Sequence, residues 1–335
     1  MGDIIKPGSL DAAILAGGRQ PEFGGSIPNK TFVRIGNRPL FIHVLSSLLL
    51  VRHIRRIYIV GPKDEIEKEL RIASSEIDLT PKTVIVLQES TGILENVMKA
   101  FHHSVANKLP GDADSENTEK LFFAIGGDSP LVLPEEVEQF IGLCDISRYD
   151  YFMGMTPSEV LEHFKPTANR RGISMAYSHF SNMLTRINNM HMARLERVSN
   201  RNEFGEIYRI RYLRNIANII RMAIGLMKRE SRFFDWGGWV NMFMAMWCRK
   251  MGLYKLSDYF RRNITIERVE NVASLLLGTR AKIVFTTYGG AALDMDRPKN
   301  KEAMEENFDY WTTLQREIGQ RYGERMAKAT GNAGL

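Results

Sequence analysis

Cysteine is nearly absent from this 335-residue chain: Cys144 and Cys248 are the only two, and they lie far apart. No CxxC pair or Cys/His cluster exists, which excludes a zinc framework and a disulfide-stapled scaffold. A reducing, cytoplasmic setting fits that usage. Uninterrupted apolar runs of spanning length are missing, so no transmembrane helix is expected. The first ten residues lack the apolar stretch of a signal peptide, and Lys6 stands where myristoylation would want Ser or Thr. Neither GxGxxG nor GxxxxGK[ST] occurs, which argues against a dinucleotide fold and a P-loop. No nucleic-acid recognition motif is present either, so no nucleic-acid partner is expected.

What remains is an ordinary globular composition, 44% hydrophobic and 25% charged, enough for a buried core. The net charge of +6 hides an asymmetry. Residues 165–285 hold 22 Lys and Arg against 8 Asp and Glu, an excess of +14, while the remaining residues carry −8. Anionic partners are therefore plausible for the basic segment.

Along the first half, short apolar runs alternate with helical patterns. Residues 11–16, 56–61, 83–87 and 120–125 read as strands; residues 39–51, 63–74 and 94–107 read as helices. That alternation predicts an α/β fold: a Rossmann-like, mixed but mainly parallel sheet with helices on both faces. Ligands of such sheets sit beyond the carboxyl ends of the strands, where the loops 17–30 and 126–130 both emerge. Residues 208–230 and 265–277 read as further helices, 281–286 as a returning strand and 301–326 as a charged helix. The expected organisation is a nucleotide-binding α/β core over 1–165, a substrate-side sheet with a basic helical insert over 166–280, and a return to the core over 281–335.

Four segments offer chemistry. Leu15, Ala16, Gly17, Gly18 and Arg19, followed by Lys30, could bring backbone N–H groups and two cations to a phosphate; the plainer reading is a Gly turn with solvated bases. Asp128, at a strand end in GGDSPLV, is placed to hold Mg²⁺ or to cap the following turn. Asp294 and Asp296, read as positions i and i+2 of a strand, would share a face and approach one metal, or Asp296 would cap a helix. Gln88, with Gly92 nearby, offers an amide and open backbone to a nucleobase, or forms a plain loop.

Together, the segments LAGGR, NKTFVRIGNRPLFIHVL, QES-TG, GGDSPLV and GGAALDMDRP resemble, in order and spacing, the MobA-like NTP transferases of the GT-A-like nucleotidyltransferase superfamily. The resemblance is good over 11–134 and moderate over 280–307. It implies phosphate binding by Gly17, Gly18, Arg19 and Lys30, and base or ribose contacts at Gln88 and Gly92. It further implies Mg²⁺ on Asp128 with Asp294 or Asp296 as second carboxylate, and acceptor contacts at Asn188 and Asn189, where relatives often carry a Gly-Asn pair. One departure stands out: where many relatives place an Arg in the opening loop, this sequence has Glu22 or Phe23. The implied reaction moves a nucleoside monophosphate from CTP, GTP or UTP to a phosphorylated small-molecule acceptor, a sugar, polyol or lipid-precursor phosphate. The competing expectations are a GT-A-like glycosyltransferase, disfavoured because no D-x-D motif stands at the central metal position, and a non-catalytic nucleotide-binding regulator. In the basic insert, Arg209, Arg211, Arg214 and Arg221 precede Trp236, Trp239, Phe243, Met244 and Trp247. That pattern fits peripheral contact with a membrane or lipid phosphate, or, more plainly, a packing or homodimer helix with solvated arginines.

Overall fold

The computed structural model describes residues 4–18, 27, 29–107, 117–200, 237, 241, 244–245, 247–248 and 251–329. Arg19, the Glu22/Phe23 departure and the insert residues Arg209, Arg211, Arg214, Arg221, Trp236, Trp239 and Phe243 lie outside them.

The elements follow the hydrophobic pattern closely. β1 (Leu10–Leu15) is followed by a small hairpin, β2 (Arg34–Ile35) and β3 (Arg38–Pro39), and by α1 (Leu40–Leu50). Pro39 closes the hairpin and precedes the helix rather than starting it, since its extended backbone cannot join the first turn. Then come β4 (Ile54–Gly61), α2 (Lys63–Ala73), β5 (Thr83–Gln88), α3 (Ile93–Ala106), β6 (Leu121–Gly126), α4 (Pro134–Gly142), β7 (Tyr151–Pro157) and α5 (Ser158–Leu161). The second half adds β8 (Ser178–His179), β9 (Leu184–Arg194), α6 (Tyr254–Arg261), α7 (Ile266–Leu277), β10 (Ala281–Phe285) and α8 (Pro298–Ala329).

The main sheet has eight strands in the order β10-β7-β9-β6-β1-β4-β5, with β8 paired to β9. β1, β4, β5 and β6 run parallel, and β10 is parallel to β7. The long β9 is antiparallel to both β6 and β7 and joins the two parallel halves. The fold is thus the mixed, mainly parallel α/β sheet that the alternation predicts.

The central strand β1 shows why its sequence reads as continuously apolar: it is buried on both faces. Ala12 and Ile14 face a cluster with Phe41, Leu45 and Leu48 of α1 and Phe140 of α4. Ala13 faces the opposite cluster, with Val97, Ala100 and Phe101 of α3. Each fully buried Phe or Leu contributes about 1.5–3 kcal/mol over exposure, so the two helix layers hold β1 firmly. The polar exception, Asp11, is fully buried and receives Arg56 at 2.9 and 2.5 Å, Arg55 at 3.0 Å and Lys120 at 3.0 Å. Burial raises its carboxyl, but the bonds from Arg56 and Arg55 and the Lys120 charge outweigh that and hold it below the ordinary carboxylate range. This cluster sits at the start of β1, the opposite end of the strand from the glycine loop.

Candidate metal and phosphate site

At the carboxyl end of β1 the backbone leaves the sheet through Ala16, Gly17 and Gly18. The Ala16 carbonyl is a fixed anchor: it accepts from Asn29 Nδ2 at 2.8 Å and from Thr31 Oγ1 at 3.2 Å. Asn29 is buried, and its Oδ1 accepts the Thr31 N–H at 2.8 Å, which starts the 3₁₀ turn Lys30–Phe32. That local cap aims Lys30 back over the strand ends.

Next door, β6 delivers Gly126, Gly127 and Asp128. The Gly127 N–H donates to the Leu15 carbonyl at 2.9 Å, which ties the two loops together. A Cβ on Gly127 would stand 3.2 Å from that same carbonyl and from the Phe41 Cβ, so the close approach favours glycine. Lys30 Nζ reaches Asp128 Oδ2 at 2.5 Å and Asp296 Oδ1 at 3.1 Å.

The third segment corrects the strand reading of residues 294–296. The stretch after the turn Gly290–Ala292 is irregular, and its register comes from neighbours rather than a ladder. Leu293 and Met295 are both buried in a cluster with Phe164, Met304 and Trp311 under α8. Met295 N–H donates to the Asp128 carbonyl at 2.9 Å. Asp294 is turned out of that cluster onto Arg186, whose Nη2 lies 2.5 Å from its Oδ1. The outcome is the convergence that the sequence implies: Asp128, Asp294 and Asp296 each offer a carboxylate oxygen, and these three lie within 4.8 Å of one another. Asp294 is 5% exposed and Asp296 45%, so the first carboxylate is held in place and the second is open to solvent.

Two cations compensate the three carboxylates. Burial works against the Lys30 ammonium, but Asp128, Asp296 and Asp294 outweigh it and raise its pKa above the ordinary lysine range. Lys30 is therefore a permanent charge and not a proton acceptor. Burial, together with Asp294 and Asp296, raises the Asp128 carboxyl against the pull of Lys30. Arg186, on β9, belongs to none of the motifs in the sequence. Its Nε donates to the Ala292 carbonyl at 2.9 Å and its Nη1 to the Ala176 carbonyl at 3.3 Å, so it orients Asp294 from a fixed frame.

The remaining expected residues divide. Asn189 is the one described non-glycine residue with positive φ, +60°, a conformation that Asn tolerates well. It sits where β9 shifts register against β7, and its Nδ2 donates to Ser129 Oγ at 3.3 Å, beside Asp128. Asn188 instead points into the protein: buried, it donates to Thr286 at 2.9 Å and Thr156 at 3.3 Å. It shapes the sheet under the site and does not line it. Gln88 Oε1 accepts the Lys63 N–H at 3.1 Å, at the start of α2. Gly92 stands immediately before α3.

The neighbour of Gln88 is more telling. Glu89 Oε2 accepts the Gly18 N–H at 2.8 Å, and a Cβ on Gly17 would meet that oxygen at 2.1 Å. A carboxylate thus fills the backbone N–H position expected to receive a phosphate. Asn29, Arg186 and Glu89 are all long-range partners of loop backbone or carboxylate groups, which no local spacing reveals.

Against known proteins, the model of the MobA-like NTP transferase domain matches residues 12–191, more than half of the chain. A hypothetical transferase from Thermus thermophilus is similar in fold, with TM-score 0.55 and 19% identity over 87% of this chain and 98% of its own. A 4-diphosphocytidyl-2C-methyl-D-erythritol synthase from Anaerococcus prevotii matches with TM-score 0.45 and 11% identity, covering 90% of this chain and 98% of its own. A CMP:2-keto-3-deoxy-manno-octonic acid synthetase complexed with CTP matches with TM-score 0.44 and 13% identity, over 90% and 99%. No curated protein matches the chain.

Proposed function

The chain belongs to the MobA-like NTP transferase domain family, and from that premise we propose that it transfers a nucleoside monophosphate from an NTP to a phosphorylated small molecule, with Mg²⁺ held by Asp128, Asp294 and Asp296. The observation that carries the reading is the convergence of those three carboxylates beneath Lys30 at the mouth of the glycine loop.

The donor set fits the ion. Three carboxylate oxygens and no nitrogen or sulfur ligand suit a hard divalent cation that keeps waters and substrate oxygens in its remaining positions. When bound, Mg²⁺ neutralises charge on the α-phosphate and fixes its orientation. The protein's own residues supply the rest. The Gly17–Gly18 backbone receives the phosphates once Glu89 swings aside. With Mg²⁺ held by the three carboxylates, the Lys30 ammonium, which meets Asp128 and Asp296 in this structure, would be available to the phosphate oxygens. Arg186 keeps Asp294 aimed at the ion. An oxygen of the acceptor phosphate attacks the α-phosphorus in line, a new P–O bond forms, the bond to the β-phosphate oxygen breaks, and pyrophosphate leaves. The acceptor oxygen is already ionised at neutral pH, so no general base is required. The chemistry is positioning and charge stabilisation without a covalent intermediate.

The test is pyrophosphate release from each of the four NTPs with a panel of sugar, polyol and lipid-precursor phosphates. One productive pair, reduced about 10²–10³-fold in Lys30→Met as expected for loss of a preorganised charge-stabilising group, supports the reading. Turnover of Asp128→Asn equal to that of the parent refutes it.

A further inference from the structure

The described surface carries eleven exposed large apolar side chains, and six of them fall within thirteen consecutive residues: Trp247, Met251, Leu253, Tyr254, Leu256 and Tyr259. They are 42–62% exposed. Scattered single apolar residues are normal on a protein surface, whereas six within one short stretch concentrate exposed apolar side chains in one segment.

The local packing explains how the group comes to face outward. α6 rests on the preceding turn through a small polar residue: Ser257 is buried and its Oγ donates to the Ala245 carbonyl at 2.8 Å. The Leu253 N–H donates to the Cys248 carbonyl at 2.8 Å, and the Met251 N–H to the Trp247 carbonyl at 3.0 Å, so both residues are held in one short unit. Ala245, Cys248 and Ser257 are buried while Tyr254, Leu256 and Tyr259 are exposed. The inward face of α6 is Ser257 with the partly buried Phe260, and Tyr254, Leu256 and Tyr259 are left on the solvent side.

The charge around the group has one sign. Among the described residues of this stretch, Lys255, Arg261 and Arg262 stand against Asp258 alone, and Arg261 engages Asp258 at 3.0 Å, which leaves the charges of Lys255 and Arg262 in excess. Trp and Tyr side chains, apolar in body and polar at the tip, are the residues best matched to a lipid–water boundary, and Lys and Arg to anionic headgroups. No described helix is long and apolar enough to cross a membrane, so the contact would lie in the surface plane.

We propose that Trp247 and residues 251–262 form a docking surface for an anionic lipid bilayer. The proposal stands on exposure and charge alone and does not depend on the transferase reading. It places the protein where a phosphorylated lipid headgroup would be an accessible acceptor.

The experiment is co-sedimentation of the full-length protein with extruded vesicles, phosphatidylcholine alone against phosphatidylcholine with phosphatidylglycerol. The parent should partition to the anionic vesicles at least about tenfold better, since each basic residue near such a surface is worth roughly fivefold. A Tyr254→Ser/Leu256→Ser/Tyr259→Ser variant, whose replaced side chains are largely exposed, should keep its circular dichroism and lose on the order of tenfold in partition. Lys255→Glu/Arg262→Glu serves as an independent second variant and should lose the preference for anionic lipid. Equal sedimentation with both vesicle types would overturn the proposal. So would unchanged partition in both variants, or a shift from dimer to monomer in the triple variant with lipid binding intact, which would make the surface an interface between two copies.

Discussion

Glu136 offers the sharpest test of how the segment bearing Asp294 and Asp296 is held. It is fully buried at the start of α4. Its Oε2 accepts the Ala291 N–H at 2.9 Å and its Oε1 meets Thr286 Oγ1 at 3.3 Å, so it clamps the turn Gly290–Ala292 that feeds Asp294. Burial drives its carboxyl up to about 8 from 4.5, despite the bonds from Ala291, Thr286 and Gly290. In the unfolded state the group ionises near 4.5, whereas in the folded protein it stays protonated to about 8. Between those values the unfolded state binds fewer protons, so this group's contribution to stability falls as pH rises, and levels off above about 8. At about 1.4 kcal/mol per pH unit the loss is on the order of 5 kcal/mol. Glu136→Gln keeps the shape and the acceptor without the titration. Urea melts of the two proteins from pH 4 to 9 should give similar stabilities at the acid end and a growing advantage for Gln toward pH 8. Glu136→Ala should lose about 1–3 kcal/mol at pH 5 from the unsatisfied Ala291 N–H alone, and should weaken divalent-cation binding as the turn loosens. A pH-independent difference between Gln and the parent would refute the neutral buried carboxyl.

Asp294→Asn should weaken Mg²⁺ binding in calorimetry more than Asp296→Asn does, because Asp294 is buried and pinned by Arg186 while Asp296 is half-exposed; the reverse order would exchange their roles. Glu89→Ala should tighten NTP binding severalfold by vacating the Gly18 N–H, read by equilibrium dialysis, and weaker binding would make Glu89 a substrate contact instead. Gly154→Ala should destabilise by about 1–3 kcal/mol, since its Cβ would meet Asn188 Oδ1 at 2.0 Å and force that buried amide off Thr286 and Thr156; a melt equal to the parent's would show that Asn188 relocates freely.

Much of this site is legible in the sequence because it lies at strand ends. Asp128 follows an unbroken apolar strand, and Lys30 follows a glycine loop, so topology alone brings them to one edge. The glycine loop and the late carboxylate pair are readable on the same grounds, although the pair converges through an irregular segment and not a strand. What the spacing does not show depends on contacts between distant segments. Arg186 reaches Asp294 from β9, 108 residues away; Glu89 reaches Gly18 across 71; Glu136 reaches Ala291 across 155. Asn188 and Asn189 illustrate the same limit within one dipeptide. The register shift and the left-handed turn at Asn189 send one side chain toward Ser129 and the other into the core.

Nucleotidyl transfer at the three carboxylates is tested most directly by Mg²⁺-dependent pyrophosphate release by the parent, Lys30→Met and Asp128→Asn, each with matched NTP-binding isotherms. Release is expected with one NTP–acceptor pair, with loss of release in both variants and loss of Mg²⁺ binding in Asp128→Asn while its fold persists. Undiminished release in Asp128→Asn, or Mg²⁺ bound equally by that variant and the parent, would contradict it.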